Sequence, residues 1–244
     1  MDCILLCAGY ATRMYPLTEN FPKPLLEISG KPLIDYLIDD LVKNRLIDRF
    51  IVVSNHKFIE HFKKWKATRS ENILLLDDGS TANENRLGAV KDIQFAIESA
   101  LINSDVLVLA GDNLLDFSLS TFVEFAKEKN SNCVMRYYES DLTKLKRTGV
   151  AVVDENDLII SMVEKPENPQ SNWAIPPFYV FGKEYLSEFK VGINGGCKVD
   201  APGGFIEWFA KRNAVYAFKM PGSRIDIGSL DGYEKIKKTY KGII

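Results

Sequence analysis

The sequence predicts an α/β fold in which a mixed, mostly parallel sheet is flanked by helices. Short, continuous apolar runs are typical of strands buried on both faces, and longer amphipathic stretches alternate with them over the first half of the chain. The composition agrees, because 244 residues with 46% hydrophobic and 26% charged side chains can bury a sizeable core. Alternating strands and helices predict parallel strands joined by crossover helices, and in such folds ligands bind at the carboxyl ends of the strands.

Strands and helices are predicted to alternate throughout the first half. The stretch 33–44 shows the reasoning, since Leu33, Leu37 and Leu41 recur at helical spacing along one stripe. The other elements are assigned on the same grounds. In chain order they are strand 4–6, helix 33–44, strand 50–53, helix 58–66, strand 73–76, helix 87–100, strand 106–109 and helix 119–129.

The second half is predicted to have more strands and fewer helices. No linker rich in Pro, Gly or Ser separates the two halves and no internal repeat is evident, so we expect one domain over 1–244 with two lobes. The predicted elements are strands 133–138, 149–153, 158–163 and 178–182, then helix 204–212, strand 214–219, loop 221–228 and a terminal helix from about residue 230.

Charge and composition exclude several classes of protein. The chain carries 31 Lys and Arg against 33 Asp and Glu, a formal charge of −2, so no nucleic-acid partner is expected. The longest apolar runs fall far short of the ~20 residues of a membrane-spanning helix, so no membrane partner is expected either. No basic segment typical of a secretory signal precedes the first apolar run, which favours a cytoplasmic location. The cysteines and histidines lack metal-binding spacing, so no zinc site is predicted and the thiols are expected to be reduced.

The loop that follows the first strand, residues 7–34, holds the most informative residues. A Gly-containing turn after a buried strand lets backbone N–H groups approach a phosphate, and Arg13 and Lys23 add permanent positive charge. Such an arrangement suits a triphosphate, although an ordinary βα loop with two unrelated cations explains these residues as well. Neither the dinucleotide fingerprint G-x-G-x-x-G nor the P-loop motif occurs at a strand exit, which argues against an NAD-dependent oxidoreductase.

Four short motifs lie in order within this loop: GYATR (9–13), YPLT (15–18), PKPLL (22–26) and GKP (30–32). In order and spacing they resemble the pattern of the sugar-phosphate nucleotidyltransferase family, which includes glucose-1-phosphate thymidylyltransferases and uridylyltransferases. The sequence departs from this pattern at Ala11, where the family usually has a second Gly and where a Cβ would narrow the phosphate turn.

The resemblance implies a Rossmann-like fold with a smaller sugar-binding lobe. Residues 1–130 would form the nucleotide-binding part, and residues 131–244 the acceptor-binding lobe with the closing helix. In the first part Arg13 and Lys23 would be the catalytic cations. The residues that bind the nucleotide through the first turn would be Ala8, Gly9 and Thr12.

Two acidic residues, far apart in sequence, are the metal ligands that the resemblance implies. Asp112 lies in the strand-end sequence GDN (111–113), and Asp226 lies in a segment similar to the family's closing W-x-D-x-G-T. Two carboxylates in one site repel unless a cation lies between them, and Mg²⁺ prefers oxygen ligands. Taken singly, either Asp would more commonly cap a turn or a helix. The cofactor expected from the resemblance is Mg²⁺.

The segment 147–175 resembles the family's sugar-binding hairpin. By that resemblance the amide of Gly149 meets the sugar, Glu164 accepts hydrogen bonds from sugar hydroxyls, and Lys165 holds the sugar phosphate. Outside this context, a Glu-Lys pair at the end of a strand is more commonly a solvated ion pair.

The resemblance is weakest where the base would bind. The sequence LGA (87–89) resembles the family's segment whose glycine, here Gly88, lies against the base. The family's preceding Gln is missing, and Asn83, Asn85 or Arg86 could supply hydrogen bonds to the base edge instead, since Asn offers both a donor and an acceptor. The thymidylyl and uridylyl members lead us to expect a pyrimidine nucleotide.

The reaction implied is transfer of a nucleotidyl group from a nucleoside triphosphate to a sugar 1-phosphate, with release of pyrophosphate. The segment IPPFYVF (175–181) departs from the family's usual sugar wall, so other acceptors stay open. One alternative is a cytidylyltransferase for a non-sugar phosphate such as phosphocholine, with Trp173, Phe178 and Tyr179 facing its ammonium group, although core packing is the commoner fate of such aromatics. Another is a non-catalytic nucleotide-sugar-binding subunit. No oligomeric state is predicted.

Overall fold

A computed structural model describes residues 1–240 and residue 242, apart from the side chain of Asp226. The chain divides into two compact units. Unit 1 comprises Met1–Arg86, Ala110–Thr121 and Pro221–Ile244, and unit 2 comprises Leu87–Leu109 and Phe122–Met220. Each unit takes residues from both predicted halves of the chain, and the assignment of 1–244 to one domain stays a prediction.

Strands and α-helices are numbered in chain order over the described residues. The strands are β1 (Asp2–Leu6), β2 (Glu27–Ile28), β3 (Lys31–Pro32), β4 (Arg49–Ser54), β5 (Ile73–Asp77), β6 (Val106–Ala110), β7 (Asn113–Leu115), β8 (Asn132–Tyr138), β9 (Gly149–Val153), β10 (Ile159–Glu164), β11 (Trp173–Ile175), β12 (Phe178–Phe181), β13 (Val215–Lys219) and β14 (Arg224–Asp226). The helices are α1 (Leu33–Lys43), α2 (Ile59–Lys66), α3 (Ala89–Ser99), α4 (Ser120–Lys129), α5 (Leu142–Leu145), α6 (Glu188–Asn194), α7 (Gly203–Phe209) and α8 (Leu230–Thr239).

Unit 1 contains the parallel strands β1, β4 and β5. β4 lies between the other two and pairs with both in parallel register. Ile4 of β1 and Ile51 and Val52 of β4 are fully buried, as expected for strands that are covered on both faces. α1 buries the leucine stripe that predicted it, and α2 packs against β5.

The strands β7 and β14 form an antiparallel pair in unit 1. Their register places Asp226 opposite Asn113, and Leu114 is buried in a cluster with Tyr233 of α8. β14 lies within the segment 221–228, which was predicted to be a loop. Three residues are too few to show the period of a strand, and β14 is stabilised by pairing with a strand that is distant in sequence.

Unit 2 contains a mixed sheet with the strand order β10-β9-β11-β8-β12-β6. Neighbours in this order are antiparallel, whereas β13, which lies outside this order, pairs with β8 in parallel. α7 packs against β10, and Phe189 of α6 stacks on Phe205 of α7 with 3.9 Å between ring centroids. α6 was not predicted, because Gly192 and two β-branched residues lower its helix propensity and the aromatic stack stabilises it instead.

These elements confirm the predicted fold class, an α/β fold with a mixed sheet flanked by helices. Within residues 1–240 and 242, no helix is both long enough and apolar enough to cross a membrane. The four cysteines are free thiols, of which Cys3, Cys7 and Cys133 are buried and Cys197 is half-buried.

Candidate functional site

The turn after β1 lies at the carboxyl end of the parallel strands of unit 1. Asn55, which follows β4, donates a hydrogen bond from Nδ2 to the carbonyl oxygen of Ala8 (2.9 Å) and so fixes the start of the turn. A Cβ on Gly9 would meet no atom within 4 Å, and Thr12 is exposed. Gly9 and Thr12 of the predicted phosphate-binding turn therefore border open space. A ligand in that space could accept hydrogen bonds from backbone N–H groups of the turn.

Tyr10 joins this turn to the segment that follows β5. Its ring is buried beside that of Phe58, with 6.0 Å between centroids, and its hydroxyl donates a 3.4 Å hydrogen bond to Oγ of Ser80. This role of Tyr10 could not be identified from the sequence, because its partner Ser80 is 70 residues away. The only available signal was a large aromatic residue inside a Gly-containing turn.

Ala11 has a backbone conformation that favours glycine. Its backbone is left-handed, with φ 48° and ψ 41°, a conformation that costs a non-glycine residue roughly 1–2 kcal/mol. Its carbonyl oxygen accepts hydrogen bonds from the Thr18 hydroxyl (2.8 Å) and from the N–H of Met14 (2.9 Å). These bonds hold the strained residue in the conformation that glycine would adopt without strain. The expected narrowing of the phosphate turn stays a prediction.

Arg13 is the exposed cation of the first turn. Its Nη1 lies 4.0 Å from the position that a Cβ on Gly228 would take, so the guanidinium lies beside the segment that follows β14. An exposed guanidinium can bind a phosphate through two parallel N–H donors.

Lys23 and Asp112 form an ion pair in unit 1. The distance from Nζ of Lys23 to Oδ2 of Asp112 is 2.7 Å, and the lysine side chain is only 7% exposed. Burial by itself would raise the pKa of Asp112, but the Lys23 ammonium and then Arg224 hold it below its usual value. Asp112 therefore carries a full negative charge at neutral pH, next to a buried cation.

Gly111 is required by close packing rather than by its own dihedral angles. A Cβ on Gly111 would lie 2.5 Å from Sγ of Cys7, and its N–H donates to the carbonyl oxygen of Leu6 (3.1 Å). The Gly-Asp sequence after β6 therefore has a physical cause, because Gly111 lets Asp112 approach the end of β1.

Asp226, the second predicted metal ligand, lies on β14. Its backbone pairs with that of Asn113, which is the residue directly after Asp112. Asp226 is therefore a cross-strand neighbour of Asn113. Its side chain is outside the described residues. Among the described residues, no group of three or more His, Cys, Asp or Glu side chains could hold a metal ion.

The predicted base-reading loop is held by its own side chains. Oδ1 of Asn85 accepts hydrogen bonds from the N–H groups of Thr81 (3.1 Å) and Ala82 (3.0 Å), while its Nδ2 donates to the Thr81 hydroxyl (3.1 Å). Nη1 of Arg86 donates to the carbonyl oxygen of Asn83 (2.8 Å). In this structure Asn85 stabilises the loop, and its contact with a base stays a prediction.

Gly88 begins α3 in unit 2 with φ 92°, which favours glycine. A Cβ there would lie 2.7 Å from the carbonyl oxygen of Val199. The next two N–H groups of the helix, those of Ala89 and Val90, donate to the carbonyl oxygens of Asp200 (3.2 Å) and Val199 (3.0 Å). The described contacts of Gly88 are thus with the segment before α7, and its place against the base stays a prediction.

Glu164 ends β10, and its partner on β9 is Gly149. The side chain is buried, and Cβ atoms built on Gly149 and Gly203 would lie 3.0 and 2.0 Å from its Oε2, so the carboxylate occupies space that two glycines leave free. Burial raises the pKa of Glu164, although Lys165 and Lys198 act in the opposite direction. Among the described residues, no group donates a hydrogen bond to this carboxylate. It is therefore suited to accept hydrogen bonds from a ligand's hydroxyl groups.

Lys165 follows in a left-handed conformation with φ 53°. Its N–H donates to the carbonyl oxygen of Thr148 (3.1 Å), and its half-exposed Nζ lies 3.7 Å from Oδ2 of Asp200. Strained backbone of this kind persists where surrounding contacts hold it, and it is common at ligand sites. Unit 2 thus brings Gly149, Glu164 and Lys165 together, and their contact with a sugar phosphate stays a prediction.

The aromatic residues considered for an ammonium group belong to ordinary packing. Phe178 and Tyr179 are buried in the core of unit 2. The ring of Trp173 is covered by the guanidinium of Arg136, 4.6 Å from its centroid, and makes a T-shaped contact with the ring of Tyr138. These side chains do not form an open cage for a quaternary ammonium ligand.

Comparisons with known proteins agree with this arrangement. A family model described as Nucleotidyl transferase matches residues 2–242. The chain is 31% identical over 236 residues to the bifunctional protein GlmU of Methanocaldococcus jannaschii (93% of this chain, 51% of that protein). It is 29% identical over 247 residues to a glucose-1-phosphate adenylyltransferase of Fervidobacterium nodosum (94% of this chain, 59% of that protein). The chain thus spans between 51% and 59% of the length of these two relatives.

A solved structure of UDP-glucose pyrophosphorylase complexed with UDP-glucose has the same fold. The TM-score is 0.82 at 21% sequence identity, and the match covers 98% of this chain and 97% of that chain. The resemblance first indicated by the motifs is confirmed by the family model, which extends over nearly the whole sequence. This chain belongs to the nucleotidyl transferase family.

Proposed function

We propose that this protein transfers a nucleotidyl group from a nucleoside triphosphate to a sugar 1-phosphate, with formation of a nucleoside-diphosphate sugar and pyrophosphate. The observation that carries the proposal is the ion pair of the buried Lys23 with the partly exposed Asp112 at the strand ends of unit 1. A buried cation next to an ionised carboxylate suits a site for a metal-bound polyphosphate. We also propose a cytoplasmic location, where nucleoside triphosphates are available as substrates.

In unit 1 the chain would bind the triphosphate and stabilise its leaving group. The turn at Ala8, Gly9 and Thr12 would supply backbone N–H groups, while Arg13 and Lys23 would neutralise the charge that develops on the leaving pyrophosphate oxygens. No protein nucleophile is required, because the attacking group is an oxygen of the acceptor phosphate. Catalysis would then come from positioning and electrostatic stabilisation.

We propose that Asp112 helps to hold a magnesium ion. Asp112 offers an ionised, partly exposed carboxylate, and the backbone of Asp226 lies across from that of Asn113. Such hard oxygen ligands suit Mg²⁺, with phosphate oxygens completing its coordination. When bound, the ion would neutralise phosphate charge and act as a Lewis acid. The residues we propose as its ligands are Asp112 and Asp226.

In unit 2 the chain would bind the acceptor. The buried carboxylate of Glu164 would accept hydrogen bonds from sugar hydroxyls, the amide of Gly149 would lie against the sugar, and Lys165 would hold its phosphate. We propose a pyrimidine nucleotide as the donor. A relative named as an adenylyltransferase makes ATP the alternative that the experiment must include.

The test is a matrix of UTP, dTTP, CTP, ATP and GTP against glucose 1-phosphate, mannose 1-phosphate and phosphocholine, with Mg²⁺ and with pyrophosphate release as the readout. We expect acceptor-dependent release with a pyrimidine triphosphate and a sugar phosphate. Release with phosphocholine alone would instead support the cytidylyltransferase alternative. No acceptor-dependent release with any pair would support the non-catalytic subunit.

The role of Lys165 is tested in the same assay. Lys165→Met should raise the KM for the sugar phosphate about tenfold or more, because a charge-assisted hydrogen bond to phosphate is lost. The KM for the triphosphate should stay within twofold of wild type. A matched control is Lys190→Met, whose exposed ion pair with Glu98 (3.2 Å) is also in unit 2. An unchanged sugar-phosphate KM in Lys165→Met would contradict this assignment.

A further inference from the structure

The backbone of Glu164 is held from one side by α7. The N–H of Glu164 donates a 3.0 Å hydrogen bond to Oε2 of Glu207, which lies on that helix. This bond joins residues that are 43 positions apart in sequence. This hydrogen bond is to the main chain of Glu164 and not to its carboxylate, on which Glu207 acts only through space, by raising its pKa.

One face of α7 contacts both parts of Glu164. Gly203 and Glu207 are four residues apart in the helix and therefore lie on the same face. A Cβ on Gly203 would lie 2.0 Å from Oε2 of Glu164, so glycine lets the helix come close enough for Glu207 to reach the backbone. Gly204 has the same effect on the preceding segment, because a Cβ there would lie 2.2 Å from the carbonyl oxygen of Lys198.

Lys198 contributes less than Glu207 to holding the backbone of Glu164. Its Nζ lies 2.9 Å from Oε2 of Glu207 and 3.4 Å from the carbonyl oxygen of Glu164, but the lysine side chain is 60% exposed. Exposed ion pairs typically contribute under about 1 kcal/mol. Burial by itself would raise the pKa of Glu207, but the Glu164 N–H and Lys198 hold it below its usual value, so the acceptor is ionised at neutral pH.

The left-handed backbone of Lys165, the residue after Glu164, is held in part by the hydrogen bond from Glu164 to Glu207. Lys165 has a left-handed backbone, and its own N–H is bonded to the carbonyl oxygen of Thr148. A hydrogen bond from each of two consecutive N–H groups, to Glu207 and to Thr148, fixes the peptide planes that aim the Glu164 and Lys165 side chains. Loss of one of them would let the strained turn relax.

We infer that Glu207 is a positioning residue for acceptor binding. It acts by accepting a hydrogen bond from the N–H of Glu164, and Gly203 provides the space that lets α7 come close enough. The inference rests on the proposed function, in which Glu164 and Lys165 hold the sugar phosphate. It assigns to α7 a role in the affinity for the acceptor and none in the affinity for the triphosphate.

Two variants separate this role from that of the Lys198 ion pair. Glu207→Gln keeps an oxygen that can accept the Glu164 N–H but removes the charge, whereas Glu207→Asp keeps the charge but shortens the reach. With the best triphosphate and sugar 1-phosphate from the matrix above, Glu207→Asp should raise the acceptor KM about tenfold, and Glu207→Gln should stay within threefold. For both variants the triphosphate KM should stay within twofold, as it should for the control Glu98→Gln, an exposed residue of the same unit. The reverse order of the two variants, or an equal loss of affinity for both substrates, would overturn the inference.

Amide hydrogen exchange, measured without substrates, separates this inference from the proposed function. The Glu164 amide should exchange at least tenfold faster in Glu207→Asp than in wild type, and at nearly the wild-type rate in Glu207→Gln. If the wild type releases no pyrophosphate with any pair, the proposed function fails, and this order of exchange rates still decides whether Glu207 holds Glu164.

Should Glu207→Asp not melt cooperatively, Lys198→Met provides the second test. It leaves the bond to Glu207 in place, so an acceptor KM more than threefold above wild type would overturn the inference.

Discussion

The proposed chemistry depends most on the ion pair of Lys23 and Asp112. The lysine is buried and its ammonium lies 2.7 Å from the carboxylate, so its position is fixed before any substrate arrives. A preorganised cation stabilises developing charge without reorganisation at the moment of reaction. In the proposed function the pair would bind substrate, and its structural role is already visible because the same lysine holds the pKa of Asp112 below its usual value.

Lys23→Met should lower kcat for pyrophosphate release by about 100-fold or more, the usual effect of removing one preorganised donor. Steady-state kinetics at saturating substrates provides the measurement. Lys31→Met is the control, because Lys31 begins β3 in the same unit but forms a half-exposed pair with Asp39 (2.6 Å). A Lys23→Met enzyme within tenfold of the wild-type kcat would contradict a catalytic role for this cation.

The buried Glu164 predicts a pH-dependent stability. Its pKa is raised in the folded protein, so folding favours its protonated form, and its contribution to stability falls as the pH rises from the usual Glu value of about 4.3 through the raised one. Glu164→Gln should therefore unfold at higher urea concentration than wild type at pH 8. The difference should shrink as the pH falls to 4. A difference of the same size at both pH values would show that ionisation of Glu164 is not its cause.

At the scale of elements, close packing rather than turn type explains the Gly-Asp sequence after β6. A Cβ on Gly111 would lie 2.5 Å from Sγ of Cys7. Gly111→Ala should therefore reduce the free energy of unfolding by about 1–3 kcal/mol through overpacking. The reduction should be at least halved in a Cys7→Ala background, where Sγ is absent. Urea denaturation of the four proteins of this double-mutant cycle tests the coupling, and additive effects would exclude this contact as the cause.

The predicted elements that the structure confirms have a clear local signal. β1 and β4 are apolar runs that are buried almost throughout, β5 is an apolar run in which Ile73 is buried and the later residues are half-buried, and α1 shows a complete leucine stripe. β7 and β14 could not be predicted in this way, because three residues show no period and their stability comes from pairing with each other.

At the scale of the whole molecule, the candidate site was predictable only where residue type itself carries the chemistry. Motif order led to Lys23, Asp112, Glu164 and Lys165, which are charged residues within recognisable local sequences. Glu207 could not be identified in this way, because its proposed role depends on a hydrogen bond from a backbone N–H that is 43 residues away. Almost every residue has such an N–H, so the sequence around Glu207 does not point to it. Local sequence does not determine which backbone N–H groups have no backbone acceptor and so donate to a side chain instead.

The distribution of the thiols gives the protein a built-in reporter position. Cys3, Cys7 and Cys133 are buried, whereas Cys197 is half-buried and immediately precedes Lys198. Burial raises the pKa of the Cys197 thiol, so a maleimide dye should react with it slowly at pH 7 and faster at pH 8.5. Mass spectrometry after brief labelling of the native protein should find one dye per chain, at Cys197. A fluorophore at that position would report directly on the segment that leads into α7, without any engineered cysteine.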